Sequence, residues 1–380
     1  MSKKHIIIAL FFGLIGFGYW LVPELALAAT AKPRLHLTDF IGVPPIRVLA
    51  TPDVVPGGLN PAEVKQAYDL PQNGGSGIIA IVEAYHDQNL EADLGVFSTT
   101  YSLPPCTKAN GCLIQHEMTK TIATNQGWSL EESLDVEWAH AIAPQAKILV
   151  VEAKTGAGQN LLNALDYAKS QFGVVAVSLS WGGDEFKDET ELDGHFIGNP
   201  NITFFAAAGD NGAGAGWPAV SPNVVAVGGT TLTLDKSGGF MSEKAWSGSG
   251  GGISKFEKEP DYQKNYDIGN ANGMRTIPDV SYNADPTTGF SVFDSVGSRK
   301  SKSWYIVGGT SAGAPQWAAI KSLGLSASNE KFYADKASTL YSEYFRDIVS
   351  GTNGTCAYYC QARKRYDFVT GLGSPLTTTF

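Results

Sequence analysis

Apolar runs of strand length alternate with segments of helical length through the middle of the chain. Residues 77–83, 147–152, 174–181, 202–209 and 223–228 are predominantly apolar, and helices are expected near 130–143 and 161–170. Strands that are apolar throughout and separated by helices predict a parallel sheet covered on both faces, hence an α/β fold. Ligands of such sheets sit beyond the carboxyl ends of the strands. Two glycine-rich segments end strands there, Trp181-Gly182-Gly183 and Gly209-Asp210-Asn211-Gly212. Both are candidate site segments.

The N-terminus has a different pattern. Lys3 and Lys4 precede an apolar run over 6–22, followed by Pro23 and Ala26-Leu27-Ala28. This is the layout of a secretory signal peptide cleaved after Ala28, and it predicts a secreted, extracellular protein. An uncleaved anchor is the competing reading, because 17 apolar positions lie at the lower limit of a bilayer span. With cleavage, no stable membrane association is expected. Residues 29–58 are rich in proline and glycine and lack a period, as a short pro-segment or an extended arm would; residues 59–380 then form one large domain.

Composition narrows the partners. Lys3, Lys4 and Glu24 leave with the signal segment, so 28 basic and 37 acidic residues become 26 and 36, a formal charge of −10. Nucleic acid is therefore excluded as an expected partner. Four cysteines in an exported chain point to disulfides, and local pairing of Cys106 with Cys112 and Cys356 with Cys360 is the simplest of three connectivities. Asn201-Ile202-Thr203 and Asn353-Gly354-Thr355 are glycosylation sequons.

The candidate nucleophile is Ser311, in Gly308-Gly309-Thr310-Ser311-Ala312-Gly313-Ala314-Pro315, which opens an apolar helix. Glycines ahead of the serine permit a sharp turn and close backbone approach, and a helix N-terminus offers unpaired N–H groups to a developing oxyanion. A plain serine N-cap is the structural alternative. The string also fits the G-x-S-x-G elbow of α/β-hydrolases, but that order requires a histidine after the serine. The six histidines, His5, His36, His86, His116, His140 and His195, all precede it. None has the glycine-flanked setting of a subtilisin-type base, so another base is required.

Carboxylates supply one. Ser129-Leu130-Glu131-Glu132 has the capping-box form, predicting a helix from Leu130 to about Ala143, ended by Pro144. Glu131 and Asp135, at i and i+4, then lie on one face that Trp138 and Ile142 continue. Two acids on an apolar stripe are costly unless they share a proton, and such a glutamate can accept the serine proton. The competing reading places them on a solvated first turn, attracted by the helix dipole. Asp210, at the carboxyl end of the 202–209 strand, can donate to an oxyanion while protonated; an ordinary Asp-Asn-Gly turn explains it equally well.

Together these residues resemble the sedolisin family of serine-carboxyl peptidases over about Leu59 to Leu376. The motifs, in order, are Glu131-x-x-x-Asp135, Ser180-Trp181-Gly182-Gly183, Ala208-Gly209-Asp210, Ser249-Gly250-Gly251-Gly252, Pro278-Asp279-Val280 and Gly309-Thr310-Ser311-Ala312-Gly313-Ala314-Pro315. The resemblance implies a subtilisin-like three-layer fold with a central, mostly parallel sheet. It also implies an endopeptidase working on polypeptides in acid, with Ser311 as nucleophile, Glu131 as base and later acid, Asp135 as its partner, and Asp210 as oxyanion donor. Ser180, Trp181, Gly182 and Gly183 would pair with extended substrate. One calcium would be held near Asp347, Ile348 and Asp367, although Arg363 and Arg365 stand where the family has glycines. The family's large folded pro-domain has no counterpart in the roughly 30 residues after the signal segment. An exported binding protein that keeps this fold without turnover is the alternative function, and an esterase using the G-x-S-x-G string is a third.

Overall fold

A computed structural model describes residues 36–49, 52–296, 303–334 and 341–376. The predicted signal peptide over 1–28, His5 within it, and positions 29–35 of the arm lie outside the described residues. The sheet strands are β1 (Ile78–Ala84), β2 (Leu113–Glu117), β3 (Lys147–Ala153), β4 (Val174–Leu179), β5 (Thr203–Ala207), β6 (Val224–Leu234), β7 (Phe240–Ala245) and β8 (Val280–Asn283). They form one eight-stranded sheet in the order β7-β6-β5-β4-β1-β3-β2, with β8 paired beside β6. Only β7 runs antiparallel to its neighbour. This is the expected subtilisin-like α/β architecture.

Alternation along the strands sends side chains to two cores. Ile79, Ile81, Ile148, Val150, Ala176 and Phe205 pack beneath α1 (Leu90–Thr100), α2 (Gln126–Ile142) and α4 (Gly313–Ser322). Ala80, Val82, Leu149, Val151, Val177 and Leu179 meet α3 (Gly158–Ser170) on the other face. The same alternation carries past the apolar residues. Glu83, Glu152 and Ser178, two residues beyond Ile81, Val150 and Ala176, therefore project from the carboxyl ends of their strands toward α2.

Helix α2 begins earlier than its capping-box pattern suggests. Asn125 is the N-cap, accepting from Gly127 N and Trp128 N, and Ser129 lies buried one turn inside. The expected box partner Glu132 turns instead to Glu152 across the sheet. An asparagine side chain supplies the same two bonds as a serine cap, and the extra turn buries Trp128. Both local disulfides are present, Cys106–Cys112 and Cys356–Cys360. Of the two sequons, Asn201 is exposed, whereas Asn353 is buried and donates through Nδ2 to Ser249 O at 2.9 Å. The second sequon is thus closed to modification in the folded chain.

Candidate active site

Four elements converge at the carboxyl end of the sheet. Gly309, at φ 111°, turns the chain from the Trp304–Gly308 strand into the 3-10 turn Thr310–Ala312 that carries Ser311. A Cβ at Gly309 would fall 2.1 Å from Pro45 O and 2.7 Å from Asp210 Oδ2, so no other residue fits there. Ser249 Oγ accepts from Gly229 N at 2.8 Å, and Gly250 N donates to Gly209 O at 2.7 Å, seating the Ala208-Gly209-Asp210 turn from behind. Thr310 donates to Asp210 Oδ1 through its backbone N (2.8 Å) and Oγ1 (3.0 Å), which places that carboxyl beside the serine turn.

Glu131 and Asp135 come from α2, and neither has exposed surface. The Ser311 hydroxyl lies close enough to Glu131 to favour its charged form. No well-formed hydrogen bond joins them here, and Ser311 Oγ and both Glu131 oxygens are buried without one. Burial, followed by the neighbouring Asp135, pushes the Glu131 carboxyl well above the ordinary carboxylate range. Asp135 is pushed up to about 8 by burial, against hydrogen bonds from Ser180, Glu83 and Ser178. Asp210 is pushed up to about 7 by burial, opposed by its Thr310 bonds and by Arg47. These groups hold protons at pH values where exposed acids have lost theirs.

Glu83 was not singled out in the sequence, and it belongs to this group. It is wholly buried at the end of β1 and faces Asp135, and its pKa is raised by burial, then by Asp135, Glu131 and Glu132. An acid closing the otherwise apolar run 78–82 was the available signal. Beyond it, Glu132 meets Glu152, whose carboxylate accepts from Gln115 Nε2 at 2.6 Å and contacts His86 Nδ1 at 2.8 Å.

The Ser180-Trp181-Gly182-Gly183 segment divides into two parts. Gly182 and Gly183 line a cleft of about 650 Å³ together with Ala208 and Gly214. Ser180 and Trp181 turn inward: Ser180 Oγ donates to Asp135 Oδ2 at 2.6 Å, and Trp181 Nε1 donates to Val82 O at 3.1 Å. Their side chains therefore brace the site rather than face the cleft. Asp279 is also a brace, accepting from Ala226 N and pairing with buried Arg275. Each described histidine is occupied elsewhere: His36 with Asp188, His86 with Glu152, His116 stacked on Tyr167, His140 with Pro104 O and His195 with Asp166.

In the expected calcium loop both aspartates are held by hydrogen bonds from the backbone. Asp367 accepts from Arg363 N, Val369 N, Thr370 N and Thr370 Oγ1 at 2.8–2.9 Å. Asp347 accepts from Arg365 N at 2.8 and 3.0 Å and from Tyr341 OH. Arg363 and Arg365 thus stand with their N–H groups toward these aspartates, and the Ile348 side chain packs in the core beside Val369.

No described histidine therefore joins Ser311 and the two helix-borne carboxyls. The model described as the subtilase family, Peptidase_S8, matches residues 117–347. The chain belongs to that family, in its sedolisin branch. It is 33% identical to kumamolisin from Bacillus sp. (strain MN-32), covering 84% of this chain and 62% of that protein. It is 27% identical to sedolisin from Pseudomonas sp. (strain 101), covering 83% and 60%. The chain thus spans about 60% of the length of these relatives. The solved structure of Pseudomonas sedolisin, a serine-carboxyl proteinase complexed with two molecules of pseudo-iodotyrostatin, aligns with a TM-score of 0.70 at 24% identity, over 84% of this chain and 96% of that one. That likeness supports the fold.

Proposed function

We propose that this protein is an exported serine-carboxyl endopeptidase that hydrolyses polypeptides in acid. The observation that carries this reading is the convergence of Ser311, Glu131, Asp135 and Asp210 in a buried cluster of acids with raised pKa values. Ser311 Oγ attacks the scissile carbonyl as Glu131 takes its proton, from the microstate of the coupled acids in which their shared proton sits on Asp135 and Glu131 is ionised. Asp135, sharing a proton with Glu83, compensates charge on Glu131. Asp210 in its protonated form and Ser311 N donate to the oxygen on which negative charge develops. Glu131 then returns the proton to the leaving amine, and water releases the acyl group by the reverse sequence. Asp210 cannot donate once ionised, so activity is confined to acid.

Cutting within chains, rather than releasing tripeptides, is favoured by the cleft's course. Residues 41–47 line it opposite Gly182 and Gly183, and that segment extends past Val43 to contacts at Gly156 and Ala157. Three residues therefore do not exhaust that side. Export is favoured by the N-terminal pattern and by two disulfides. Among the described residues no helix is long and apolar enough to cross a membrane.

The test is digestion of a denatured protein across pH 3–8 with the purified chain and its Ser311→Ala variant. Cleavage at pH 3–5 that the variant lacks supports the reading. Turnover retained by Ser311→Ala, or an optimum at pH 7 or above, would overturn it.

A further inference from the structure

Four further acids meet in the core beside α2. Asp87 follows β1, Asp93 lies in the first turn of α1, Glu137 stands on α2 two residues after Asp135, and Asp294 follows the Phe290–Phe293 strand. None is more than 3% exposed. One carboxyl oxygen from each of Asp87, Asp93 and Asp294 lies within 4.8 Å of the other two. Backbone and hydroxyl donors fix how these aspartates sit: Asp87 Oδ1 accepts from Asn89 N at 2.7 Å, Asp93 Oδ2 from Ser295 N (2.8 Å) and Oγ (3.0 Å), and Asp294 Oδ1 from Val296 N at 3.2 Å.

Glu137 brings a fourth carboxyl to them from a separate element. Its Oε2 accepts from Phe293 N at 3.0 Å, which sets the group beside Asp294. Its Oε1 is buried and makes no hydrogen bond among the described residues, and Asp87 Oδ2 is in the same condition. Burial raises the Glu137 carboxyl well above the ordinary carboxylate range, the Phe293 bond opposes this, and the charges of Asp93, Asp294 and Asp87 add to it. Glu137 therefore faces the other three. Oxygens buried without a partner are costly, and a bound cation is one of the ways a folded chain satisfies them.

Two oxygens on one calcium ion, each about 2.3–2.6 Å from it, are at most about 5 Å apart. The spread of the three aspartate oxygens, 4.8 Å, suits a single ion of that kind. We propose that Asp87, Asp93, Glu137 and Asp294 bind one calcium ion, at a junction distinct from the 347–367 loop. The donors are all carboxyl oxygens, which suit a hard cation rather than a soft one. Magnesium is smaller and keeps several of its waters, whereas these carboxyls lie in the core and form a cage of protein oxygens. The ion would tie the turn after β1, the start of α1 and the Phe290–Phe293 strand to α2, the helix that carries Glu131 and Asp135. It would thereby hold the catalytic pair in place without touching substrate.

The experiment uses the full chain as Ser311→Ala, stripped with EGTA, moved to metal-free buffer near neutral pH and titrated with calcium chloride. Equilibrium dialysis counts bound calcium and scanning calorimetry follows Tm, beside Glu137→Gln, Asp87→Asn and Asp347→Asn made in the same chain. At a hundredfold excess over its dissociation constant, calcium should raise Tm by at least about 3 °C. Glu137→Gln and Asp87→Asn should bind this ion at least about tenfold more weakly and lose most of the shift. Each replaces a buried carboxyl with a neutral amide, so in EGTA their Tm should match or exceed that of the parent. Asp347→Asn should keep at least half of the shift. A parent that binds no calcium overturns the inference. So does a shift that persists in Glu137→Gln and Asp87→Asn, or one that Asp347→Asn alone abolishes.

Discussion

Ser180 Oγ donates to Asp135 Oδ2 at 2.6 Å, tying the end of a sheet strand to the middle of α2 inside the core. The bond favours the charged form of an aspartate that burial, even against this bond, pushes up to about 8. Removing it in Ser180→Ala should raise the Asp135 pKa further. The expected outcome is a kcat about 10- to 100-fold lower, the range of a hydrogen bond to a charged group, with the alkaline limb of the pH profile moved upward. Steady-state kinetics across pH 3–8 checks this. Loss of stability with an unmoved limb would make Ser180 a packing residue.

Asp210 should act through a proton. Asp210→Ala removes the side-chain donor and should lower kcat by about 100- to 1,000-fold, as for other oxyanion donors. Asp210→Asn keeps a donor at every pH and breaks the ion pair with Arg47. It should be less impaired than the alanine variant, with activity persisting to higher pH. An asparagine variant no better than alanine, with an unshifted profile, would remove the donor role.

Buried acids also set the pH dependence of stability. Burial raises Asp87 to about 7, Asp135 to about 8, Asp210 to about 7, Glu257 to about 8 and Glu189 to about 9. In each case the folded state binds its proton more tightly than the unfolded chain. Their contribution is therefore fully present below the unfolded carboxyl values near 4 and is lost as pH rises through about 7 to 9. Tm should fall steadily from pH 4 to pH 8, which scanning calorimetry on Ser311→Ala would show without self-digestion. A Tm that rises over that window would contradict the assigned protonation.

Much of this arrangement was legible beforehand because it rests on local rules. Glu131 and Asp135 share a helix face at any helix start, so an error of one turn at Ser129 left their relation intact. Asp210 followed from its place at a strand's carboxyl end. Glu83 and Ser180 were less legible as partners of Asp135, since their contact depends on which way β1 and the segment after β4 face α2. The arm's course was not legible either: residues 40–48 pair with Gly156, Gly182 and Gly308, positions more than a hundred residues away that no local pattern relates. The 363–367 loop shows a further kind of contact that no local pattern gives. Its aspartates accept from the backbone N–H groups of Arg363 and Arg365, bonds that depend on how the loop folds back on Asp347.

Glu83 allows function to be separated from stability. Its carboxyl is wholly buried against Asp135 and raised well above the ordinary range chiefly by burial, so while protonated it can donate to Asp135. Glu83→Gln can still donate to Asp135 and should keep kcat within about tenfold of the wild type. Glu83→Leu cannot donate, and losing a hydrogen bond to a charged group should cost about 10- to 100-fold in kcat. Replacing a buried ionisable group with an apolar one of similar volume is often neutral or stabilising, so Glu83→Leu should keep or raise its Tm at pH 7 while losing activity. If the leucine variant instead matched the glutamine variant in kcat at pH 4, proton sharing between Glu83 and Asp135 would have no part in the reaction.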